Sequence, residues 1–168
     1  MRLIGLFSIA TFIFLALQTT LPRLLPIGMF VPDLVLILAV DLGLRHHGAL
    51  SALMAFAMGY ATDAFSGSHL GLNALTLTLV FLLAYWLARS LISTSAVIGV
   101  VAVFAGVMFK DIGSYIVSSG WSAPPDLRAL IPPMLLQAAI TALLAPWVFG
   151  IMERATRLVG LRQRAARE

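Results

Sequence analysis

The sequence has no cysteine and few charged residues, and both shortages restrict what the protein can be. Its 168 residues include no Cys, and only 11% of them are Asp, Glu, Lys or Arg. Without cysteine the chain has no disulfide, no thiolate metal site and no cysteine nucleophile. About a quarter of the residues in a soluble domain are charged, so the second shortage excludes an ordinary soluble globular fold.

The sequence also lacks the common catalytic motifs. It contains no HExxH, no GxSxG, no P-loop and no dinucleotide-binding glycine motif. His46 and His47 are adjacent and would point about 100° apart on a helix, and His69 belongs to a different segment. No two aspartates have the spacing of a catalytic dyad. We therefore expect no enzymatic activity, no bound metal and no cofactor.

Apolar residues, by contrast, are abundant: they make up 61% of the chain, and the mean hydropathy is +1.01. A transmembrane helix needs about 20 residues, so six of them would use roughly 120 positions and leave no room for a soluble domain. Six apolar segments lie at roughly 3–21, 27–44, 48–65, 70–88, 91–113 and 130–152. We predict an all-α fold, with a bundle of six transmembrane helices over residues 1–152 and a basic cytoplasmic tail over residues 153–168.

The positive residues lie mostly at the ends of the apolar segments, and their distribution predicts the orientation. With the N-terminus inside, only Arg23 and Arg128 fall in outer loops. The inner positions hold eight arginines: Arg2, Arg45, Arg89, Arg154, Arg157, Arg162, Arg164 and Arg167. Inner loops of membrane proteins are enriched in Lys and Arg, so both termini are expected in the cytoplasm. The net charge of +4 is then an orientation signal, and we expect no nucleic-acid partner.

The tail carries five of these arginines: Arg154, Arg157, Arg162, Arg164 and Arg167. We interpret them first as the anchor that keeps the C-terminus inside. Contact with anionic lipid or with a cytoplasmic partner is the alternative.

Four ionisable residues are predicted in the half of the bundle that faces outward. Asp33, Asp63, Lys110 and Asp111 lie within or beside apolar segments, where a central charge costs about 3 kcal/mol to insert. One interpretation is functional, in which they form a partly hydrated site or a surface that faces a partner. The other is structural, in which they form an ion pair, for example between Asp63 and Lys110. Asp41 precedes Arg45 by four residues, so an ion pair on one helix explains it without a further role.

Small residues follow one stripe of the third segment. Gly59, Asp63, Gly67 and Gly71 recur at steps of four residues, continuing an earlier Ser51 and Ala55. Small residues let a second helix approach closely in a bilayer. Spacing alone leaves open whether that helix belongs to this chain or to a partner, and we favour a contact inside the chain.

The residues around this stripe resemble a family signature. The pattern is a glycine, three residues, an aspartate, a Ser-Gly-Ser run and then Leu-Gly, which here spans Gly59 to Gly71. The Val31-Pro32-Asp33-Leu34 run, the Pro146-Trp147 pair followed by basic residues, the chain length and the layout of six segments agree with it. Together they resemble MreD, the rod shape-determining membrane protein of bacteria, over essentially the whole chain.

The resemblance implies a multi-pass protein of the bacterial inner membrane that acts as a scaffold in the cell-wall elongation complex. Proteins of this kind bind MreC and work with MreB, the glycosyltransferase RodA and a class B penicillin-binding protein in peptidoglycan synthesis. The family is also similar in fold to the S components of energy-coupling factor transporters. A solute-binding transport component is therefore the alternative function, and it would need a polar cavity.

Overall fold

The computed structural model describes residues 2–24, 31–46, 48–66, 71–90, 96–118 and 127–158, and α-helix is the only regular secondary structure among them. This confirms the predicted all-α fold. The helices are α1 (Arg2–Leu24), α2 (Leu34–Arg45), α3 (Ala49–Ser66), α4 (Leu72–Ser90), α5 (Ala96–Ser118) and α6 (Leu127–Leu158).

Four of these helices are long and apolar enough to cross a membrane. Their candidate spans are Leu3–Thr20, Leu72–Ser90, Val97–Val117 and Ile131–Leu158, in α1, α4, α5 and α6. α2 and α3 are not among these candidates. α2 has only 12 residues, and α3 carries the polar residues Tyr60, Thr62 and Asp63 in its second half.

The second predicted segment is only partly helical. It was expected over residues 27–44, but α2 begins at Leu34 and residues 31–33 are not helical. Pro32 disfavours helical backbone at the residue before it. Asp33 then takes the N-cap position, where its carboxylate accepts from the backbone N–H of Leu36. At about 1.5 Å per residue, α2 is about 18 Å long and spans little more than half of a hydrocarbon core of about 30 Å.

α2 forms the centre of the bundle. Every side chain from Leu34 to Leu44 is buried, and the helix contacts each of the other five. A helix that is apolar on all sides needs such surroundings. In a bilayer, close packing rather than the exclusion of water holds neighbouring helices together. The other five helices therefore pack around α2.

The helices alternate in direction around α2. α6 runs parallel to it, because contacts join Asp33 to Thr141 and Arg45 to Glu153, and both pairs are 108 residues apart in the sequence. α5 is antiparallel to α2, since Lys110, in the second half of α5, pairs with Asp33 at the start of α2.

The first helix is also antiparallel to α2. Gln18, late in α1, donates to the carbonyl of Pro32 at 2.9 Å, while the Phe7 ring packs edge-on against His46, just past the end of α2. The short connections on either side of α3 make it antiparallel to both α2 and α4. We call the end of the bundle where α2 begins the Asp33 end and the opposite one the Arg45 end.

Candidate functional site in the polar half of the bundle

Asp33 joins four helices at one point. Its Oδ1 accepts from the Leu36 N–H at 3.0 Å and from Gln18 Nε2 at 3.3 Å, and its own N–H donates to Thr141 Oγ1 at 3.2 Å. Its Oδ2 forms an ion pair with Lys110. The residue is 5% exposed, so α1, α2, α5 and α6 meet at a charge pair that is shielded from lipid.

Lys110 therefore pairs with Asp33 and not, as the sequence suggested, with Asp63. The two residues are 77 positions apart in the chain, so no local spacing predicts that they pair. A buried ion pair holds its members in place strongly, because removal of one leaves the other charge without compensation. Asp33 and Lys110 thus have a structural explanation.

Asp111 follows Lys110 but belongs to no recorded ion pair within the described part of the chain. Its side chain is half-buried, and its Oδ2 is buried with no hydrogen-bond partner among the described residues. Of the four predicted ionisable residues, it is therefore the one whose charge the bundle compensates least.

Asp63 caps the start of the next helix. Its carboxylate accepts from the backbone N–H groups of Gly71 at 2.9 Å, Asn73 at 3.1 Å and Ala74 at 3.1 Å. The side-chain amide of Asn73 donates a further bond at 2.8 Å. Asp63 is 1% exposed. The first N–H groups of a helix have no partner inside it and carry a partial positive charge. The Asp63 carboxylate, near the end of α3, accepts hydrogen bonds from these groups at the start of α4.

The small-residue stripe lies inside the bundle. Ser51, Ala55, Gly59 and Asp63 are all buried, and α3 packs more extensively on α4 than on any other helix. A Cβ atom at Gly59 would overlap the backbone of Asn73 and Ala74. Only glycine permits this approach, which brings Asp63 within reach of the α4 N–H groups.

The other two glycines of the stripe lie in the connection between α3 and α4. Gly71 has a φ of +96°, which side chains disfavour, and its N–H is one of the donors to Asp63. Gly67 lies outside the described residues.

A second charged network ties α2 to α6 at the Arg45 end. Arg45 Nε lies 2.7 Å from Asp41 Oδ1, which is the pair expected from the four-residue spacing. Arg45 Nη1 also lies 3.3 Å from Glu153 Oε2, and Glu153 forms an ion pair with Arg157.

Part of the predicted basic tail belongs to α6, which continues to Leu158. Arg154 is exposed. The side chain of Arg157 is 76% exposed and pairs with Glu153 four residues earlier. Arg162, Arg164 and Arg167 lie outside the described residues.

Sequence reasoning missed several polar partners in these networks. Gln18, Asn73 and Thr141 are neutral residues within apolar segments, and each makes a hydrogen bond to Asp33 or Asp63. The sequence did contain a sign of their role, because a polar side chain inside an apolar segment needs a hydrogen-bond partner in lipid. The described residues contain no group of three His, Cys, Asp or Glu side chains that could hold a metal ion.

The four long apolar helices define the protein as a helical membrane protein. Comparison with known protein families matches residues 1–155 to the family described as rod shape-determining protein MreD. The chain belongs to this family, and it is thus a membrane protein of a family that determines rod cell shape. No curated protein and no solved structure gives a significant match.

Proposed function

We propose that the protein is a non-enzymatic scaffold of the cell-wall elongation complex, that it binds MreC, and that it thereby supports peptidoglycan synthesis and rod shape. The observation that carries this proposal is the family match over residues 1–155 of a chain of 168. MreB, RodA and a class B penicillin-binding protein are the further members of the proposed complex.

The burial of these polar residues limits which parts of the bundle a partner can contact. Gly59 and Asp63 are enclosed by the contact of α3 with α4, and Asp33 is covered by four helices. A partner does not reach these side chains directly, so we assign them to the support of the bundle. Asp111 is only half-buried and is the member of this group best placed to face another protein.

We further propose that all six helices lie in the bacterial inner membrane, with both termini in the cytoplasm. The alternating helix directions and the excess of arginine at the Arg45 end support this orientation. A fluorescent protein fused to the C-terminus should then be bright, and a periplasmic phosphatase fused there inactive. An active phosphatase fusion would contradict this orientation.

Co-purification and depletion test the scaffold proposal. An affinity-tagged chain, extracted in a mild detergent, should retain MreC, whereas an unrelated tagged membrane protein of similar size should not. Depletion should turn rod-shaped cells round, because side-wall synthesis loses a component. Cells that keep their rod shape after complete depletion, or a tagged chain that retains no MreC, would overturn the proposal.

The alternative, a solute-binding transport component, has less support. Such a site needs a polar cavity that orients the solute. The cavity described between α1 and α3 has mostly apolar walls, among them Ile4, Phe12, Leu50 and Leu53. It therefore adds nothing in favour of solute transport.

A further inference from the structure

The group formed by Asp33, Asp63, Lys110 and Asp111 contains three carboxylates and only one ammonium. Lys110 forms its ion pair with Asp33, and Asp63 and Asp111 are also close enough to interact with its charge. Asp63 has four N–H donors as well. The Oδ2 atom of Asp111 is buried and has no hydrogen-bond partner in the part of the chain that the structure describes. One positive charge therefore leaves the Asp111 carboxylate largely uncompensated.

Asp111 also lies deep in the apolar part of α5. It falls within the candidate span Val97–Val117 and directly follows Lys110, which pairs with Asp33 at the start of α2. The 12 residues of α2 rise by about 18 Å from this level to Arg45. With Arg45 at the cytoplasmic boundary of a hydrocarbon core of about 30 Å, Asp111 lies about 10 Å inside the outer boundary. At this depth a carboxylate needs a partner, because ionisable side chains in membrane helices pair with one another or face water.

The Asp111 side chain is turned away from the centre of the bundle. Gly106 marks the central face of α5, because a Cβ atom there would contact Val80 and Leu36. Asp111 follows five residues later, which is a rotation of about 140° on an α-helix of about 3.6 residues per turn. Its side chain is only half-buried. The carboxylate therefore lies at the edge of α5, where a group from outside the bundle can reach it.

The line of α5 that holds Asp111 suits contact with a membrane helix. Val100, Phe104, Met108, Asp111 and Tyr115 recur at steps of three or four residues, and each is half-buried. The line is about 22 Å long at about 1.5 Å per residue. Helices in a bilayer associate through close packing and through polar contacts between side chains. Val100, Phe104 and Met108 offer a packing surface, and Asp111 offers the polar contact.

We propose that a lysine or arginine of a partner's transmembrane helix forms an ion pair with Asp111, and that this helix packs along the line from Val100 to Tyr115. Charge complementarity selects the partner, since a purely apolar helix would bury the carboxylate without compensation and an acidic one would repel it. The depth of Asp111 places the basic residue in the outer third of the partner helix. The inference rests on the proposed scaffold function, and it assigns the basic residue to MreC.

Retention of MreC by variants of Asp111 tests this pairing. Asp111→Asn keeps the size of the side chain and removes its charge. The MreC retained by the tagged protein in mild detergent should fall at least about tenfold, because the partner's cation stays buried without its counter-ion. Asp111→Glu is the matched control, which keeps the charge and should retain most of the MreC. Without MreC, the Asp111→Asn chain should unfold at the wild-type temperature or above it, because it loses a carboxylate that the bundle does not compensate.

An exchange of the two charges tests direct contact. Each lysine and arginine in the outer third of the MreC membrane helix is replaced in turn by aspartate. One of these replacements should abolish retention by the wild-type chain, and Asp111→Lys should restore it. Failure of every such combination, or the absence of a basic residue from that part of the MreC helix, would overturn the proposal.

The outcomes also separate this proposal from the scaffold function. Equal retention of MreC by the wild type and by folded Asp111→Asn would overturn the ion pair alone and leave the scaffold function standing. That result is expected if the amine of a lipid, and not a partner helix, binds the carboxylate. A wild-type chain that retains no MreC would overturn both.

Discussion

Lys110→Met is expected to lower the free energy of unfolding by about 3–5 kcal/mol, the cost of breaking a buried ion pair by removing one member. Methionine is similar in length to lysine and apolar, so the main loss is the charge that compensates Asp33. The Asp33 carboxylate then remains among four helices, 5% exposed, without its counter-ion. Thermal unfolding of the purified protein in detergent, followed by the loss of monodisperse protein, measures the effect.

Two further variants separate the ion pair from the general effects of mutation. In the double variant Asp33→Asn, Lys110→Met both members of the ion pair are gone and Asp33 no longer carries a charge, so much of the stability should return, as it does when a buried pair is replaced as a whole. Arg157→Ala removes a member of an exposed ion pair and should cost at most about 1 kcal/mol. If Lys110→Met were as stable as the wild type, Asp33 would not need its counter-ion.

The sequence predicted the features that depend on local pattern. Hydropathy located six apolar segments, each of which contains a helix, and the four-residue spacing predicted the pair of Asp41 with Arg45. The start of α2 was also readable, because an aspartate after a proline and before an apolar run is typical of a helix N-terminus. The predicted boundary at residue 27 followed hydropathy, which does not distinguish a helix from an apolar segment that precedes it.

Long-range pairing could not be predicted in the same way. Nothing in the sequence spacing says that Lys110 and Thr141, which lie in two other helices, reach Asp33. The role of Asp63 was still harder to foresee, since most of its donors are backbone N–H groups, which every residue other than proline possesses. Only the close approach of two helices at Gly59 brings these donors together.

Asp63→Ala should cost about 2–4 kcal/mol of stability, because three backbone N–H groups and one side-chain amide lose a charged acceptor. In a bilayer no water replaces that acceptor. Asp63→Asn should lie between Ala and the wild type, since it keeps one acceptor oxygen but brings an NH₂ group toward other donors. Thermal unfolding in detergent gives the order of the three proteins, and Asp111→Asn is the control that removes a nearby carboxylate without touching the cap.

The two Asp63 variants also decide whether Asp63 acts through the fold or through a partner. If Asp63 caps α4, the MreC retained by each variant should fall only in proportion to its folded fraction, so that retention per folded chain stays constant. Loss of MreC from a fully stable Asp63→Ala protein would instead make the carboxylate part of the interface. If Asp63→Ala changed neither stability nor MreC retention, Asp63 would have neither the capping role nor the interface role. We expect the first result, because at 1% exposure the carboxylate is enclosed by the connection it stabilises and presents no surface to another protein.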